Sequence, residues 1–348
     1  MTTTQTSVVH DLGTLAHRLS HPARTPCVCE PPQVLADRPD GTVVRSGVIV
    51  AKAHAADTDR AALAARIALA AAPQLAGILL PPLPAPAPAA PTARPVTLWP
   101  LGAPVDPTDP GAAPWAEAAD LLARLHRTKP PFTLPPMRGP AKAARAVARM
   151  RAALRGDAIT PPRDPGVEPG DATAPPRDPA VEPRAPASLS VLAGWRALPA
   201  WARGEVPAPV RRGGSLCHGD LHLGQLVRHP APDGPWLLID MDDAGVGDPA
   251  WDLGRPAAWY AAGLLAPEDW STFLDAYRAA GGPAVPADGD PWPALDVPAR
   301  ALTVQTAAVA LAKCAAEQRD PDDHEQLMIE SCARIATLPP ELATGPAS

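Results

Sequence analysis

Residues 216–229 read LCHGDLHLGQLVRH and place three histidines, one aspartate and two glycines within fourteen positions. Such a span can be a metal site, a catalytic loop or a crowded turn. His218 and His222 stand four apart, a spacing that suits one face of a helix. Gly219 and Gly224 weaken a helix there. No glutamate follows His218 as in HExxH, so a zinc site would need a third ligand from elsewhere. The loop reading draws in a second segment. The apolar run WLLID (236–240) ends on Asp240, and QLVRH and PWLLID flank a PDG turn as a hairpin would. A hairpin returns the end of its second strand to the start of its first. Asp220, Gln225 and Asp240 should therefore converge, giving two carboxylates and an amide oxygen. Magnesium takes hard oxygen ligands, few of them from protein. Asp240 and Gln225 suit a metal, and Asp220 is left to accept a hydrogen bond from an incoming hydroxyl.

The elements that must position these residues fall into two halves. QVLAD, TVVR and VIVAKAH (33–54) read as a β-meander with glycine at both breaks. DTDRAALAARIALAAA (57–72) reads as a helix that Asp57 or Thr58 can cap. GILLPPL (77–83) and PVTLWPL (95–101) read as short strands. The composition then turns helical. PWAEAADLLARLHRT (114–128) puts Ala118, Leu121, Leu122 and Leu125 on one face, and AKAARAVARMRAALRG (141–156) follows. A short helix is expected near 189–203, and helices run from about 249 to the end, clearest over 300–317. The order predicts an α+β, two-lobed fold with a ligand groove between the lobes. The N-terminal lobe, 1–101, is a small sheet with one helix and the hinge. The C-terminal lobe, 102–348, is mainly helical.

Composition excludes several classes. The net charge is −6 with no Lys/Arg run, which disfavours nucleic-acid binding. Residues 61–82 are interrupted by Arg66, Pro73 and Gln74, so no membrane span is expected. The five cysteines have no framework spacing, and the Cys27/Cys29 C-x-C is a weak metal signal. A soluble cytoplasmic protein, monomeric or homodimeric, is the expectation. Fifty prolines, two Phe and two Tyr mark a strong compositional bias. Lysine is scarce, at positions 52, 129, 142 and 313 only.

CHGDLHLGQL followed by LLIDMDDAGVGDPAWDL resembles the aminoglycoside phosphotransferase family, the small-molecule branch of the kinase fold. His218-Gly219-Asp220, His222, Gln225, Ile239-Asp240, Gly247-Asp248-Pro249 and Asp252-Leu253 match in order and spacing. Gln225 stands where most members carry asparagine, and maltokinase-like members are similar in having HGDLHLGQ. The resemblance implies a protein-kinase-like fold and an ATP-dependent kinase acting on a small hydroxylated molecule such as an antibiotic, sugar or amino alcohol. It implies Asp220 as catalytic base and Gln225 and Asp240 as ligands of Mg2+. It implies Lys52, on the third meander strand, as the nucleotide lysine, and backbone near Trp99 and Leu101 as the adenine contact. Asp242 reads as a solvated loop carboxylate or a ligand of a second metal. His218, His222 and Asp252 are expected to brace the loop. Residues 57–72 contain no glutamate to pair with Lys52. That departure keeps a second reading open, a catalytically degenerate nucleotide-binding or regulatory protein. A zinc hydrolase using the histidines is a third.

Residues 157–187 hold a near-duplication, TPPRDPGVEPGDA and APPRDPAVEPRAP. The segment is proline-rich, charged and poor in large apolar residues, so it is expected to be a disordered insertion. Deleting residues 160–184 should leave melting temperature and turnover nearly intact. A loss of several degrees by calorimetry, or of most activity, would show that the segment packs.

Overall fold

Alternating burial builds the N-terminal sheet. The computed structural model describes residues 3–21, 30–38, 41–84, 94–155, 186–207 and 214–339. Cys27, Cys29 and all but the last two residues of the 157–187 stretch lie outside these residues. The chain opens with α1 (Thr3–Ser20), β1 (Gln33–Arg38), β2 (Gly41–Ser46), β3 (Ile49–His54), α2 (Arg60–Ala70) and β4 (Val96–Pro100). The four strands form an antiparallel sheet in the order β1-β2-β3-β4. Gly47, at φ +57°, turns β2 into β3. Ile49, Ala51 and Ala53 point to one face of β3, where they pack with Val44 and Leu98 against Val8, Leu12, Leu15 and Ala16 of α1. Period-two alternation leaves Lys52 on the opposite face.

Three details differ from the sequence reading. The lobe has two helices where one is expected, because the apolar stripe of α1 needs a partner and the sheet supplies it. Residues 77–83 do not form a strand. Leu79 and Leu83 make single bridges to Leu238 and Leu98. Pro81 and Pro82 have no N–H to continue a ladder. The cap of α2 is Asp59, whose carboxylate accepts from the N–H groups of Ala61 and Ala62.

The remainder is mainly helical. Its elements are β5 (Ala103–Pro104), α3 (Trp115–Arg127), α4 (Gly139–Leu154), α5 (Pro186–Ala197), β6 (Ser215–Cys217), β7 (Leu226–Arg228), β8 (Trp236–Leu238), β9 (Gly245–Gly247), α6 (Ala250–Ala262), α7 (Pro267–Ala279), α8 (Trp292–Glu317) and α9 (Asp323–Ala336). The face of α3 bearing Ala118, Leu121, Leu122 and Leu125 is buried. α8 lies against α4 and α6, and α3 against α7. Two short antiparallel ladders carry the loops of interest. β7 pairs with β8, and β6 with β9. The Leu80 N–H donates to the Leu238 carbonyl and the Leu238 N–H to the Ile78 carbonyl, tying the two halves together. Among the described residues no helix is long and apolar enough to cross a membrane.

Candidate active site

The loop from His218 to Gln225 is held from beneath by one carboxylate. Asp252, on the first turn of α6, is 1% exposed. Its oxygens accept from the backbone N–H of His218 at 2.6 Å and of Gly219 at 2.7 Å. His126 Nε2 donates to it at 2.9 Å, and the Tyr277 hydroxyl donates to His126 Nδ1 at 2.7 Å. Burial opposes its charge, but the His126 bond and these donors hold its carboxyl below the usual range. Gly219 has φ +86°, and a side chain there would run into the Asp243 backbone. His218 is fully buried, with Nε2 donating to the Ile239 carbonyl at 2.8 Å and Nδ1 accepting from the Asp220 N–H at 3.3 Å. Both ring nitrogens are thus used, which closes His218 to zinc. His126, Cys217 and Asp252 also lie close enough together for a metal. Both His126 nitrogens are likewise engaged, and burial holds the Cys217 thiol well above its ordinary range.

Asp220 emerges from this loop between two cations. Lys142 Nζ on α4 lies 2.5 Å from Oδ2, and Arg255 Nη2 on α6 lies 2.6 Å from Oδ1. Burial alone would raise the carboxyl, but Lys142 and Arg255 bring it down to about 2. Lys142 also reaches Asp243 Oδ2 at 2.7 Å, and Arg138 Nε stands 3.8 Å from Asp243 Oδ1.

The hairpin delivers the second group. The Ile239 N–H donates to the Gln225 carbonyl at 2.9 Å, one step beyond the β7–β8 ladder, so Gln225 lies opposite Ile239, the residue before Asp240. Asp240 takes φ +61°, which turns the chain at the strand end. Lys52 Nζ lies 2.7 Å from Asp240 Oδ1 and 2.9 Å from Asp242 Oδ2. Burial would lower the ammonium, but the two carboxylates hold it above its ordinary value. Burial would likewise raise Asp242, but the His54 bond and the Lys52 charge hold it well below the usual range. A directed chain leads away from Asp242. His54 Nδ1 donates to it at 3.1 Å, the Thr97 hydroxyl donates to His54 Nε2 at 2.9 Å, and Trp99 Nε1 donates to Thr97 Oγ1 at 3.0 Å. α2 brings no carboxylate; its buried Arg66 donates to the Ala244 carbonyl at 2.8 Å.

The structure therefore links Asp220, through Lys142 and Asp243, to the Asp240–Asp242 turn that Lys52 holds, with Gln225 paired to Ile239 just before that turn. Trp99 and Leu101 stand differently. Trp99 pairs with Val50 in the sheet, the Leu101 N–H donates to the Val48 carbonyl at 2.8 Å, and the Leu101 carbonyl accepts from His229 Nδ1 at 3.2 Å. Both Leu101 backbone groups thus already have partners within the protein. Sequence reasoning missed Lys142, Arg255, Asp243 and His54. Lysine scarcity was a usable signal for Lys142, since two of only four lysines reach the cleft.

A hard cation fits this donor set. Two carboxylates, Asp240 and Asp242, turn toward one point that the Lys52 ammonium occupies. Gln225, opposite Ile239 across the hairpin, is 8% exposed. All three offer oxygen, as magnesium prefers.

Residues 40–295, well over half of the chain, match the phosphotransferase enzyme family. No curated protein matches the chain. Among solved structures, a thermostable aminoglycoside phosphotransferase mutant in ternary complex with AMP-PNP and hygromycin B is similar, at 13% identity and a TM-score of 0.54, over 95% of this chain and 98% of that one. A putative aminoglycoside phosphotransferase from Ralstonia eutropha is similar at 14% identity and 0.51, over 96% and 98%. The choline kinase of Streptococcus pneumoniae is similar at 12% identity and 0.50, over 96% and 99%. At these identities the likeness establishes the fold, that of protein-kinase-like small-molecule kinases.

His222 yields a pH test. Burial, reinforced by the Arg255 charge, lowers its imidazole to about 4. Between the unfolded value near 6.5 and about 4, the unfolded chain binds the proton first. Stability is therefore complete above this window and falls with acid, by a slope approaching one proton. Denaturant melts at pH 6.5 and pH 4.5 should show a larger loss for wild type than for His222→Gln. Equal losses would contradict the assignment.

Proposed function

Because the chain belongs to the phosphotransferase enzyme family, we propose that it is an ATP- and magnesium-dependent kinase that phosphorylates a hydroxyl group of a small molecule. The observation that carries this reading is Asp220, ionised and flanked by Lys142 and Arg255, in the cleft that also holds Lys52, Gln225 and Asp240. A nucleotide donor is supported by the similar fold solved with AMP-PNP. Similar folds act on a range of acceptors, and fold alone does not choose between them.

The chemistry follows from position and charge. Asp220 orients the acceptor hydroxyl and receives its proton. A carboxyl held near 2 is a weak base, but a loose phosphoryl-transfer transition state asks for little proton removal before the new bond forms. Its charge therefore serves both to orient the hydroxyl and to take the proton as the new bond forms. Asp240 and Gln225 would hold magnesium, which when bound neutralises charge on the nucleotide phosphates. Lys52 would then exchange Asp240 for a phosphate oxygen while keeping Asp242. The Asp242–His54–Thr97–Trp99 chain fixes the lysine to the hinge strand in place of a helix carboxylate. The degenerate-protein reading rested on the missing α2 glutamate. Lys52 has two carboxylates without it, which favours the enzyme.

Asp220 and Asp240 should separate by experiment. Asp240→Asn removes a charge from the metal shell and should weaken magnesium-dependent nucleotide binding as well as turnover. Asp220→Asn keeps the shape and should leave nucleotide affinity intact, with turnover lower by roughly two to four orders of magnitude. Calorimetry gives the affinities, and ADP release during an acceptor screen gives turnover. The reverse pattern would exchange the two roles. Full turnover in both variants would end this reading.

A further inference from the structure

Lys142 has no part in the sequence motif, yet its ammonium touches the proposed catalytic carboxylate. It projects from α4, 2.5 Å from Asp220 Oδ2 and 2.7 Å from Asp243 Oδ2. An ammonium has three N–H donors. Two are directed at these carboxylates, and the third has no partner among the described residues. The side chain is 27% exposed, more than the 15% of Arg255. Burial opposes its charge, but Asp243 and Asp220 hold it above its ordinary value.

We propose that Lys142 is a catalytic residue whose third N–H binds the transferring phosphoryl group. This rests on the phosphotransferase reading above. In the transfer, the acceptor oxygen forms a bond to the terminal phosphorus. The bond from that phosphorus to the bridging oxygen breaks, and its electron pair leaves with the nucleoside diphosphate. The hydroxyl proton passes to Asp220. Negative charge meanwhile spreads over the three peripheral phosphoryl oxygens and needs a cation on the acceptor side. An acceptor hydroxyl bonded to Asp220 places its oxygen on the order of 5 Å from the Lys142 ammonium, given one further hydrogen bond.

Other groups at the cleft are less suited. His222 is neutral near pH 7, its imidazole lowered to about 4. Arg255 is committed to Asp220 Oδ1, and its Nε is buried without a partner. Lys52, paired with Asp240 and Asp242, is already assigned to a nucleotide phosphate from the N-terminal sheet. The residue type adds an independent argument. Of 31 cationic residues, 27 are arginine and only four lysine. A cation needed only to neutralise two aspartates would be served by the planar fork of arginine. A compact ammonium that can turn among three acceptors suits a group that must follow a moving phosphoryl.

The test uses a mimic and needs no identified acceptor. Affinity for Mg·ADP is measured by calorimetry with and without aluminium fluoride, which imitates the phosphoryl group in flight. Wild type should tighten by at least about a hundredfold with the fluoride. Lys142→Met should keep its Mg·ADP affinity and lose at least tenfold of that gain. Lys142→Gln, which can still hydrogen-bond Asp220, provides the same readout should the methionine variant fail to fold. A lysine with a structural role alone would change melting temperature and leave the gain unchanged. A gain equal to wild type in the folded variant overturns the proposal alone. No gain in wild type overturns the phosphotransferase reading and this proposal with it.

Discussion

Four aspartates, Asp220, Asp240, Asp242 and Asp243, lie close together, and their like charges are compensated by cations from distant parts of the chain. Lys52 answers Asp240 and Asp242 from the N-terminal sheet. Lys142 and Arg255 answer Asp220 from two helices, and Lys142 also answers Asp243. An uncompensated ion out of water costs several kcal/mol, so these pairings constrain how the elements meet. Under the proposed kinase reading, the same pairing would let Lys52 yield Asp240 to a metal.

Beneath that cluster lies a rigid support. Asp252 binds two consecutive backbone N–H groups and His126, and Tyr277 fixes His126 in turn. The Ala284 N–H donates to the Tyr277 hydroxyl, so the chain runs from backbone to backbone without a loose end. This support orients Asp220 without touching it. The second support, from Trp99 through Thr97 and His54 to Asp242, crosses from the hinge strand to the Asp240 turn. One support therefore fixes the Asp220 loop and the other the Asp240–Asp242 turn.

Much of this was legible in the sequence because the motif is local. The hairpin that sets Gln225 opposite the end of the strand leading to Asp240, and the alternation that turns Lys52 from the core, both follow from short-range rules. The cations around Asp220 were not legible. Lys142 meets Asp243 across 101 positions and Asp220 from a helix whose facing only tertiary packing decides. Arg255 sits three residues past Asp252 on the same helix, yet nothing local shows that it points to the loop above. The hinge bonds were out of sight for the same reason: the Leu101 backbone is bonded to Val48 and to His229, which is 128 positions away. The absent glutamate of α2 was seen, but its replacement by carboxylates of the cleft itself could only be seen in three dimensions.

The account turns on the exchange of Lys52 for a metal at Asp240. A crystal structure with magnesium and AMP-PNP measures this directly. It should show a cation on Asp240 and Gln225, with Lys52 on a phosphate oxygen and still paired to Asp242. Asp220 should remain free of metal between Lys142 and Arg255. Lys52 still bridging Asp240 and Asp242, with the nucleotide bound elsewhere or no cation at Asp240, would contradict the account.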